Sequence, residues 1–295
     1  MKCSVIILNW NGVKHLRTYL PSVVANTPEA DIIVADNGST DESLAMLAKE
    51  FPTVMTIVLD KNYGFAEGYN RAIEKVDSEY VVLLNSDVEV TEGWLTPLLD
   101  YMDTHADVAA VQPKIRSWRN KAYFEHAGAA GGFVNALGYP YCRGRVLWHV
   151  EEDKGQYDTT IDVDWTSGAC MLVRTKIYKD CGGLDATFFA HMEEIDLCWR
   201  MRNAGWRLVC LPKSVVYHLG GGSLAYESPR KTYLNHRNNL VMIRKNKQHP
   251  GGVLFIRFFL DYAAAFFYLL QGRWSAFKAV FQARRDYHKL LESKA

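Results

Sequence analysis

The sequence lacks several patterns that would assign a chemistry at once. Its six cysteines include no C-x-x-C pair, which argues against a zinc knuckle and a dense disulfide framework. It has no G-x-G-x-x-G and no P-loop lysine, which argues against a dehydrogenase and a P-loop NTPase. The formal net charge of the 295 residues is only +1, so composition gives no electrostatic case for a nucleic-acid partner, and we expect none.

Long apolar runs are also scarce. The apolar run at residues 3–8 is too short for the core of a signal peptide, and no small-residue cleavage site follows it, so we expect a chain that is not exported. The longest charge-free run near the C-terminus, residues 262–272, is well short of the ~20 residues that a spanning helix needs. Hydrophobic residues still make up 48% of the chain, which is enough to bury a substantial core and excludes disorder.

Short β-branched runs alternate with helical patterns through the first 111 residues. This alternation is typical of an α/β fold with a mostly parallel central sheet flanked by helices, of the Rossmann-like kind. Ligands of such sheets gather at the carboxyl ends of the strands. The predicted strands are 5–8, 32–35, 56–59, 81–84 and 108–111, and the predicted helices are 14–25, 41–51, 66–76 and 93–104.

The rest of the chain is less regular. Residues 116–164 are rich in glycine and aromatic residues, which predicts irregular structure or short strands. Order resumes at 165–174, and a helix is predicted from 192 to 203, followed by strands at 207–211 and 215–217. Beyond residue 226 the pattern is helical, so we predict a main domain at 1–225 and a C-terminal helical extension at 226–295.

Polar and glycine-rich clusters follow four of the predicted strands. They are N-W-N-G at 9–12, D-N-G-S-T-D at 36–41, N-Y-G-F-A-E-G at 62–68 and N-S-D at 85–87. Asp36 closes a buried strand, where its carboxylate can accept hydrogen bonds from a base or a ribose, whereas Asp41 fits a turn or helix cap better. Glycines at a helix start, as at 62–70, suit a phosphate or a sugar hydroxyl.

Two further residues are candidate metal ligands. Asp87 follows an apolar strand, and a hard divalent cation that bridges a diphosphate needs only one or two protein carboxylates. His218 ends a predicted strand and precedes a glycine-rich loop, which suits a metal ligand beside a loop that closes over a diphosphate. The alternatives are an exposed turn aspartate and a core histidine.

Three acids stand close together at the start of the predicted helix at 192–203. Glu193, Glu194 and Asp196 repel one another, but the positive end of the helix dipole offsets this and keeps them ionised. An ionised carboxylate is the group that takes a proton from an attacking hydroxyl. The alternative is ordinary enrichment of acids in a first turn, with Asp196 paired to Arg200 four residues on.

Together these residues resemble inverting bacterial glycosyltransferases of family 2, particularly the rhamnosyltransferase-like branch, from about Cys3 to about Lys247. Each matching piece is weak alone, but nine in the same order are specific. The pieces are V-I-I-L-N-W-N-G at 5–12, V-A-D-N-G-S-T-D at 34–41, N-Y-G-F-A-E-G-Y-N at 62–70, L-L-N-S-D at 83–87, S-G-A-C-M-L-V-R at 167–174, residues 188–200, Gly205-Trp206, residues 218–223, and Tyr233 with Arg237-Asn238.

The resemblance implies a GT-A fold with a nucleotide-binding half and an acceptor-binding half. It implies that Asp36 holds the nucleotide base, that Asp87 is the surviving acid of the D-x-D metal motif, and that His218 joins it on Mg²⁺ or Mn²⁺. The other predicted nucleotide-binding residues are Asn9, Asn11, Asn62, Gly64, Asn70 and Asn85.

The resemblance also implies that the second residue of the Glu193-Glu194 pair is the general base. The chain departs from the family pattern twice. Asn85 replaces the first acid of D-x-D, which is common in this branch, and Glu194 replaces the usual Asp, which adds a methylene. Trp165, Ser167 and Asp196 are the predicted acceptor-binding residues. The aromatic residues that can stack on acceptor sugars, or simply fill the core, are Trp118, Tyr123, Phe124, Trp148 and Trp165.

These observations predict transfer of a sugar, with rhamnose first, from a UDP- or dTDP-linked donor to a hydroxyl of a glycan or lipid-linked acceptor in cell-surface polysaccharide synthesis. Two alternatives stay open. One is a catalytically impaired nucleotide-sugar-binding partner of another transferase, which the Glu194 substitution makes conceivable. The other is a sugar-phosphate nucleotidyltransferase, although N-W-N-G at 9–12 lacks the cation that its first loop needs.

The C-terminal segment combines an apolar helix with basic residues. Residues 251–295 hold seven Lys or Arg and three acids. Between 253 and 270 the polar and small side chains form one narrow stripe that includes Arg257 and Asp261, which leaves a broad apolar face. We predict a helix that lies on the cytoplasmic face of the cell membrane, with Arg273, Lys278, Arg284 and Arg285 on anionic lipid. The alternatives are packing on the protein's own core and a homodimer contact.

Overall fold

The first half of the chain is built from alternating strands and helices. The computed structural model describes residues 1–126, 128–146, 149–220 and 228–292, with only the backbone of Glu292. Each of the five predicted strands lies within an observed strand. The elements are β1 (Cys3–Asn9), α1 (Val13–Asn26), β2 (Asp31–Asn37), α2 (Ser43–Glu50), β3 (Met55–Leu59), α3 (Gly64–Ile73), β4 (Tyr80–Asn85), β5 (Val88–Val90), α4 (Thr96–Thr104) and β6 (Val108–Ser117).

The second half carries short strands, then one long strand and three long helices. The two strands predicted at 207–211 and 215–217 are one strand, because a bulge between Leu211 and Val215 shifts the register and lets the ladder continue. The elements are β7 (Gly132–Val134), β8 (Pro140–Cys142), β9 (Arg145–Val146), β10 (His149–Val150), β11 (Ile161–Asp162), β12 (Cys170–Arg174), α5 (Thr175–Asp180), a 3₁₀ turn (Ala186–Phe188), α6 (Glu193–Asn203), β13 (Arg207–His218), α7 (Pro229–Asn246), α8 (Pro250–Leu270) and α9 (Trp274–Glu292).

One central sheet organises the main domain. Its strand order is β11-β13-β6-β12-β4-β1-β2-β3, with β5 paired to β13. Strands β4, β1, β2 and β3 are parallel, whereas β12 runs antiparallel to both β4 and β6. The predicted α/β class with a sheet flanked by helices is confirmed, and the sheet is mixed because β12 reverses direction in its middle.

Both faces of the sheet are buried, which explains the near-continuous apolar strands. Along β1, Ile6 faces one core cluster, whereas Val5 and Ile7 face the other. Alternating residues of β4 divide in the same way, with Leu83 in the first cluster and Leu84 in the second. A strand covered on both faces has no solvent side, so it needs no polar alternation.

The helical extension is fixed to the rest of the chain by a buried charge network. Arg257 and Asp261 on α8 are almost fully buried, and Asp261 accepts hydrogen bonds from Arg257 at 3.2 Å and from Arg284 of α9 at 2.6 Å. Arg257 also donates to Asn239 of α7. The predicted polar stripe of α8 therefore faces the protein, and its apolar face is left exposed. The predicted boundary at 225/226 remains a prediction.

Candidate active site

The strand register brings three of the polar clusters to one edge of the sheet. Asn9 at the end of β1 lies opposite Asp36 at the end of β2, and Leu8 lies opposite Asn85 at the end of β4. Because the ends of these parallel strands lie opposite one another, the loops that follow them share one edge of the sheet. This edge is the candidate site.

Asp36 is held in place from two sides. Asn9 Nδ2 donates to its Oδ1 at 3.0 Å, and the backbone N–H of Ser39 donates to its Oδ2 at 2.9 Å. Asp36 has no exposed surface, and Asn9 Oδ1 is buried without a hydrogen-bond partner among the described residues. A carboxylate has about four acceptor positions, and these two contacts occupy two of them.

Asn11 connects the loops that follow β1 and β2. Its backbone is in the left-handed region, with φ of 51°, and its Oδ1 accepts from the backbone of Thr40 at 2.7 Å and of Asp41 at 3.3 Å. Asp41 accepts from the N–H of Val13 and of Ser43, so it holds the starts of two helices. Asp41 therefore has the turn and cap contacts that the sequence favours for it.

Asn62 and Gly64 link this edge to the loop before the acidic helix. Asn62 Oδ1 accepts from the backbone N–H of Gly64 at 2.8 Å. Gly64 has φ of +80°, and a Cβ there would lie 3.0 Å from the ring of Phe189, so only glycine fits. Phe65 also donates its N–H to the carbonyl of Phe189 at 3.1 Å. The loop that contains Asn62 and Gly64 is thus in direct contact with the loop that contains Phe189, which precedes Glu193.

The side-chain amide of Asn70 is occupied by hydrogen bonds within the protein. Its Nδ2 donates to the carbonyl of Leu184 at 2.7 Å, and its Oδ1 accepts from the Tyr178 hydroxyl at 2.6 Å and the Leu184 N–H at 3.0 Å. Because these contacts occupy the amide, Asn70 has a packing role, and we do not place it at the nucleotide.

The predicted acceptor residues are buried in the protein interior. Asp196 has no exposed surface and is bound by Arg200, Lys245 and Asn246, so the predicted i, i+4 pairing with Arg200 is what occupies it. Trp165 is only 5% exposed and donates to the carbonyl of Phe133, which is a core contact. We therefore do not place Asp196 or Trp165 in the acceptor site; Ser167 is buried as well.

The aromatic residues predicted to stack on acceptor sugars differ in position: some are buried in the core, and Trp118 lies beside the candidate site. Phe124 is fully buried, and Trp148 lies outside the described residues. Trp118 is half-buried and lies next to the candidate metal ligand His218, because its backbone N–H donates to the carbonyl of His218 at 2.9 Å. Its indole N–H donates to Glu89 at 2.8 Å, which fixes the ring beside the candidate site.

Asp87 and His218 are brought together by strand pairing. His218 at the end of β13 lies opposite Val88 of β5, and His218 Nε2 is 3.1 Å from Asp87 Oδ1. Asn85 Nδ2 lies 3.4 Å from the same ring nitrogen. Burial lowers the pKa of His218, but its hydrogen bonds and charge interactions with Asp87 and Glu125 outweigh burial and raise the pKa to about 10. In the metal-free chain this histidine carries the charge opposite Asp87.

Glu125 completes this group. No sequence pattern indicates it, because it stands in the irregular 116–164 segment. It is buried, and its Oε2 lies 3.7 Å from Nδ1 of His218, on the side of the ring away from Asp87. A carboxylate behind a histidine fixes the ring orientation and the tautomer, as it does behind metal-bound histidines. Among the described residues no cluster of three or more His, Cys, Asp or Glu side chains can hold a metal unaided.

The two adjacent acids at the start of α6 have different electrostatic states. Burial and the charge of Glu194 raise the pKa of Glu193 well above its usual range, whereas burial raises the pKa of Glu194 to about 6. Glu193 is therefore driven towards its neutral form, and Glu194 carries the charge near neutral pH. The Oε2 atoms of both acids are buried and have no hydrogen-bond partner among the described residues, so the ionisation state is what distinguishes Glu194 from Glu193.

Glu194 lies close to the strand-end edge through a short chain of contacts. A Cβ on Gly168 would lie 3.6 Å from the Glu194 side chain. The next residue, Ala169, accepts a hydrogen bond from the backbone N–H of Asn85 at 3.0 Å, and Asn85 contacts His218. The Glu194 side chain therefore lies near the end of β4, where Asn85 contacts His218.

The loop before these acids is strained and is held by α7. Phe189, His191 and Met192 all have left-handed backbones, with φ of 63°, 68° and 74°. Such residues persist only where their surroundings hold them, and they cluster at functional sites. The side-chain amide of Asn238 donates to the carbonyls of Phe188, Ala190 and His191 at 3.0, 2.9 and 2.7 Å. Asn238 is therefore a clamp on the acid loop, the segment that leads into Glu193 and Glu194.

We expect Asn238→Ala to lower kcat by about 10–10²-fold with little change in the donor KM, because a small displacement of a reacting group has that effect. It should also cost about 1–3 kcal/mol of stability, since buried carbonyls lose their donor. Asn239→Ala is the matched control, because this neighbouring buried asparagine binds Gly138 and Arg257 and makes no hydrogen bond to the acid loop among the described residues. Equal kcat losses in both variants, measured on the folded fraction, would show that the clamp has no positioning role.

Comparisons with known proteins show the family to which the chain belongs. The model of "Glycosyl transferase family 2" matches residues 4–182, more than half of the chain. The chain is 24% identical over 262 residues to the N-acetylglucosaminyl-diphospho-decaprenol L-rhamnosyltransferase of Mycobacterium tuberculosis, covering 84% of this chain and 85% of that protein. It is also 24% identical over 221 residues to rhamnosyltransferase WbbL of Escherichia coli, covering 72% and 82%.

A solved structure shows the same fold. The mannosyltransferase PcManGT from Pyrobaculum calidifontis, in complex with GDP-Man and Mn²⁺, aligns with a TM-score of 0.59 at 13% identity and covers 99% of this chain and 79% of that one. This match confirms the GT-A fold that the sequence predicts. The chain belongs to glycosyl transferase family 2 and is similar to its rhamnosyltransferases.

Proposed function

We propose that this glycosyltransferase is inverting and metal-dependent, and that it moves a sugar, with rhamnose as the first candidate, from a dTDP- or UDP-linked donor to a hydroxyl of a lipid-linked glycan. The observation that carries the proposal is the buried, unpartnered carboxylate oxygen of Glu194, the acid of the Glu193-Glu194 pair that carries the charge, at the start of a helix whose preceding loop is bound by Asn238. The relative from Mycobacterium tuberculosis is named for rhamnosyl transfer to a lipid-linked diphosphate sugar, which supports the donor and acceptor classes.

Glu194 is the residue we assign as general base. A base must be ionised, within reach of the acceptor hydroxyl, and not already engaged in another hydrogen bond. Glu194 meets the first and last conditions, while Glu193 beside it is driven towards its neutral form. Deprotonation of the hydroxyl as it attacks the anomeric carbon opposite the leaving diphosphate inverts that centre.

Asp87 and His218 are the residues we assign to a divalent cation. Asp87 Oδ1 and His218 Nε2 are 3.1 Å apart, so one Mg²⁺ or Mn²⁺ ion would be within reach of both side chains. Two protein ligands suffice when diphosphate oxygens and water supply the others. When bound, the cation stabilises negative charge on the departing diphosphate. Asp36, with Asn9 beside it, is placed to hold the base or ribose of the donor.

The alternatives differ in measurable products. A catalytically impaired partner binds the nucleotide sugar without turnover, and a nucleotidyltransferase releases sugar phosphate. We expect incubation with dTDP- and UDP-sugars and Mn²⁺ to release nucleoside diphosphate and free sugar slowly, and EDTA to stop the release. Donor binding without turnover would support the impaired partner. Release of sugar 1-phosphate and nucleoside triphosphate after pyrophosphate is added would support the nucleotidyltransferase.

The rate of transfer should depend on pH through the Glu194 carboxyl. Because burial raises its pKa to about 6, the base is protonated and inactive below that pH and ionised above it. We therefore expect kcat to fall as pH decreases through about 6, rather than through the value near 4.3 of an exposed glutamate. The measurement is a kcat–pH profile at saturating donor and metal, and a rate that stays constant down to pH 5 contradicts the assignment.

The exposed face of α8 is the surface that we assign to the membrane. Among the described helices, α8 alone is long and apolar enough to cross a bilayer. Its buried Arg257 and Asp261 fix it along α7 and α9, which favours a helix lying in the interface over one that spans. The exposed apolar side chains are Phe255, Ile256, Phe258, Phe259, Leu260, Phe266, Phe267 and Leu270.

Basic and aromatic residues border this face, as an anionic lipid surface requires. Trp274 at the start of α9 is 61% exposed, and Arg273 stands beside it. Arg285 is exposed further along α9, whereas Arg284 is buried against Asp261 and is not available to lipid, which corrects its predicted lipid contact. Apolar burial with cationic flanks is the pattern of helices that lie in the membrane interface.

We expect the full-length chain to float with vesicles that contain phosphatidylglycerol at low salt, and Phe259→Ser with Phe266→Ser to abolish flotation while donor binding is kept. Point variants are preferable to removing residues 251–295, because deletion removes the partners of the α7 residues Asn239 and His236. Met55→Ser with Val58→Ser is the matched control, since both residues are exposed on β3. If wild-type chain stays unbound and sediments as a dimer, the face is a homodimer contact instead.

A further inference from the structure

A cavity of about 610 Å³ lies between the acid loop and the helical extension. Phe189 forms its wall on the side of the acid loop, and Tyr233 and Leu234 of α7 and Ala279 of α9 form apolar walls. Its charged lining is wholly cationic, because Arg230, Arg237 and Lys278 line it and none of the described lining residues is acidic. Such a lining favours a ligand with concentrated negative charge and an apolar part.

Two of these cations are available for a ligand. Neither Arg230 nor Lys278 has an ion-pair partner in the described part of the chain, and Arg230 rests over the Phe189 ring, 5.2 Å from its centroid. The guanidinium of Arg237 is partly occupied within the protein, because its Nη2 donates to the carbonyls of Thr187 and Phe188. The motif residue Arg237 thus belongs both to the clamp on the acid loop and to the cavity.

The 610 Å³ cavity reaches from the acid loop to a second cavity in the helical extension. On one side Phe189 contacts Gly64 and precedes Glu193 by four residues. On the other side Lys278 and Gln282 also line a second cavity of about 490 Å³, whose walls include the aromatic residues Tyr262, Phe277 and Phe281 of the extension. A molecule that occupies both cavities has one end beside Phe189 of the acid loop and the other among the aromatic side chains of the extension.

We propose that the 610 Å³ cavity binds the diphosphate of an isoprenoid-diphosphate-linked acceptor, with Arg230 and Lys278 as its ligands and the isoprenoid leaving past Tyr262, Phe277 and Phe281. This inference rests on the proposed function, because it assigns a position to that function's lipid-linked acceptor. The diphosphate lies at the headgroup level, and the sugar extends past Phe189 to Glu194. Arginine and lysine are the side chains that bind phosphate through charge-assisted hydrogen bonds.

The probe is farnesyl diphosphate, which carries the diphosphate and a short isoprenoid, titrated into the full chain by calorimetry in EDTA. EDTA removes any metal that would let the probe bind at Asp87 and His218. We expect wild-type chain to bind the probe, Arg230→Gln and Lys278→Gln to weaken binding about tenfold each, and farnesol to bind far more weakly. Lys289→Gln is the matched control, because Lys289 is exposed on α9 and lines neither cavity.

The other sources of phosphate give distinct results. If Arg230→Gln and Lys278→Gln weaken UDP or dTDP binding with Mn²⁺ instead, the cations serve the donor and the proposal is wrong. If they reduce flotation on phosphatidylglycerol vesicles but leave farnesyl diphosphate binding unchanged, they contact lipid headgroups and it is again wrong. Failure of the proposed function itself is separate, because it would show as absent sugar transfer in wild-type chain that still binds farnesyl diphosphate.

Discussion

Glu194→Gln is expected to lower sugar transfer by about 10²–10⁴-fold, the usual loss when a general base is removed. The substitution keeps the shape of the side chain and removes only its ability to accept a proton. Donor and metal affinity should be unchanged, because Asp36, Asp87 and His218 lie on other elements. The measurement is kcat with the donor KM, and the acid limb of the pH profile should disappear with the base.

Two companion variants identify the base within the pair. Glu193→Gln removes a group that burial already drives towards neutrality, so it should reduce the rate far less. If Glu193→Gln is inactive and Glu194→Gln is active, the two assignments must be exchanged. Glu194→Asp shortens the side chain by one methylene and restores the residue usual in the family; a higher rate in that variant would show that Glu194 limits the native enzyme.

Asp87→Asn is expected to weaken Mn²⁺ binding by about 10–100-fold in the presence of UDP or dTDP. The amide has the same shape but lacks the charge that a hard cation prefers. His218→Ala should have a similar effect, because its Nε2 lies 3.1 Å from Asp87. Calorimetric titration of Mn²⁺ measures this directly and does not depend on turnover.

Asp60→Asn is the control for this pair. Asp60 follows β3, the outer strand of the parallel group, but it is exposed and accepts a hydrogen bond only from Tyr63 among its described contacts. Its loss should leave Mn²⁺ binding unchanged. If Asp87→Asn and His218→Ala bind Mn²⁺ as well as wild-type chain does, the metal lies elsewhere.

The sequence predicted the part of the site that depends on strand order. Because Asn9, Asp36 and Asn85 each end or follow a parallel strand, register alone brings them to one edge. The candidates at 62–64, 87 and 218 also reach or border that edge. Local periodicity and turn residues are enough for this, since each feature is set within a few residues of the chain.

The contacts that depend on distant segments were not predictable in the same way. Glu125 reaches His218 from an irregular stretch that has no periodicity. Asp196 and Asn70 look like site residues in the sequence, but Lys245, Asn246 and Leu184 occupy their polar groups from other elements. Asn238 stands in a family motif, but its contact with the acid loop depends on how α7 packs, which local sequence patterns do not indicate.

The most direct test of the account is the anomeric configuration of the transferred sugar. Attack by a hydroxyl that Glu194 activates, opposite the leaving diphosphate, is a single displacement. We therefore expect NMR of the product formed from a dTDP- or UDP-sugar with Mn²⁺ to show the configuration opposite to that of the donor. A product that retains the donor's configuration would contradict the role of Glu194 as a base and the single-displacement mechanism built on it.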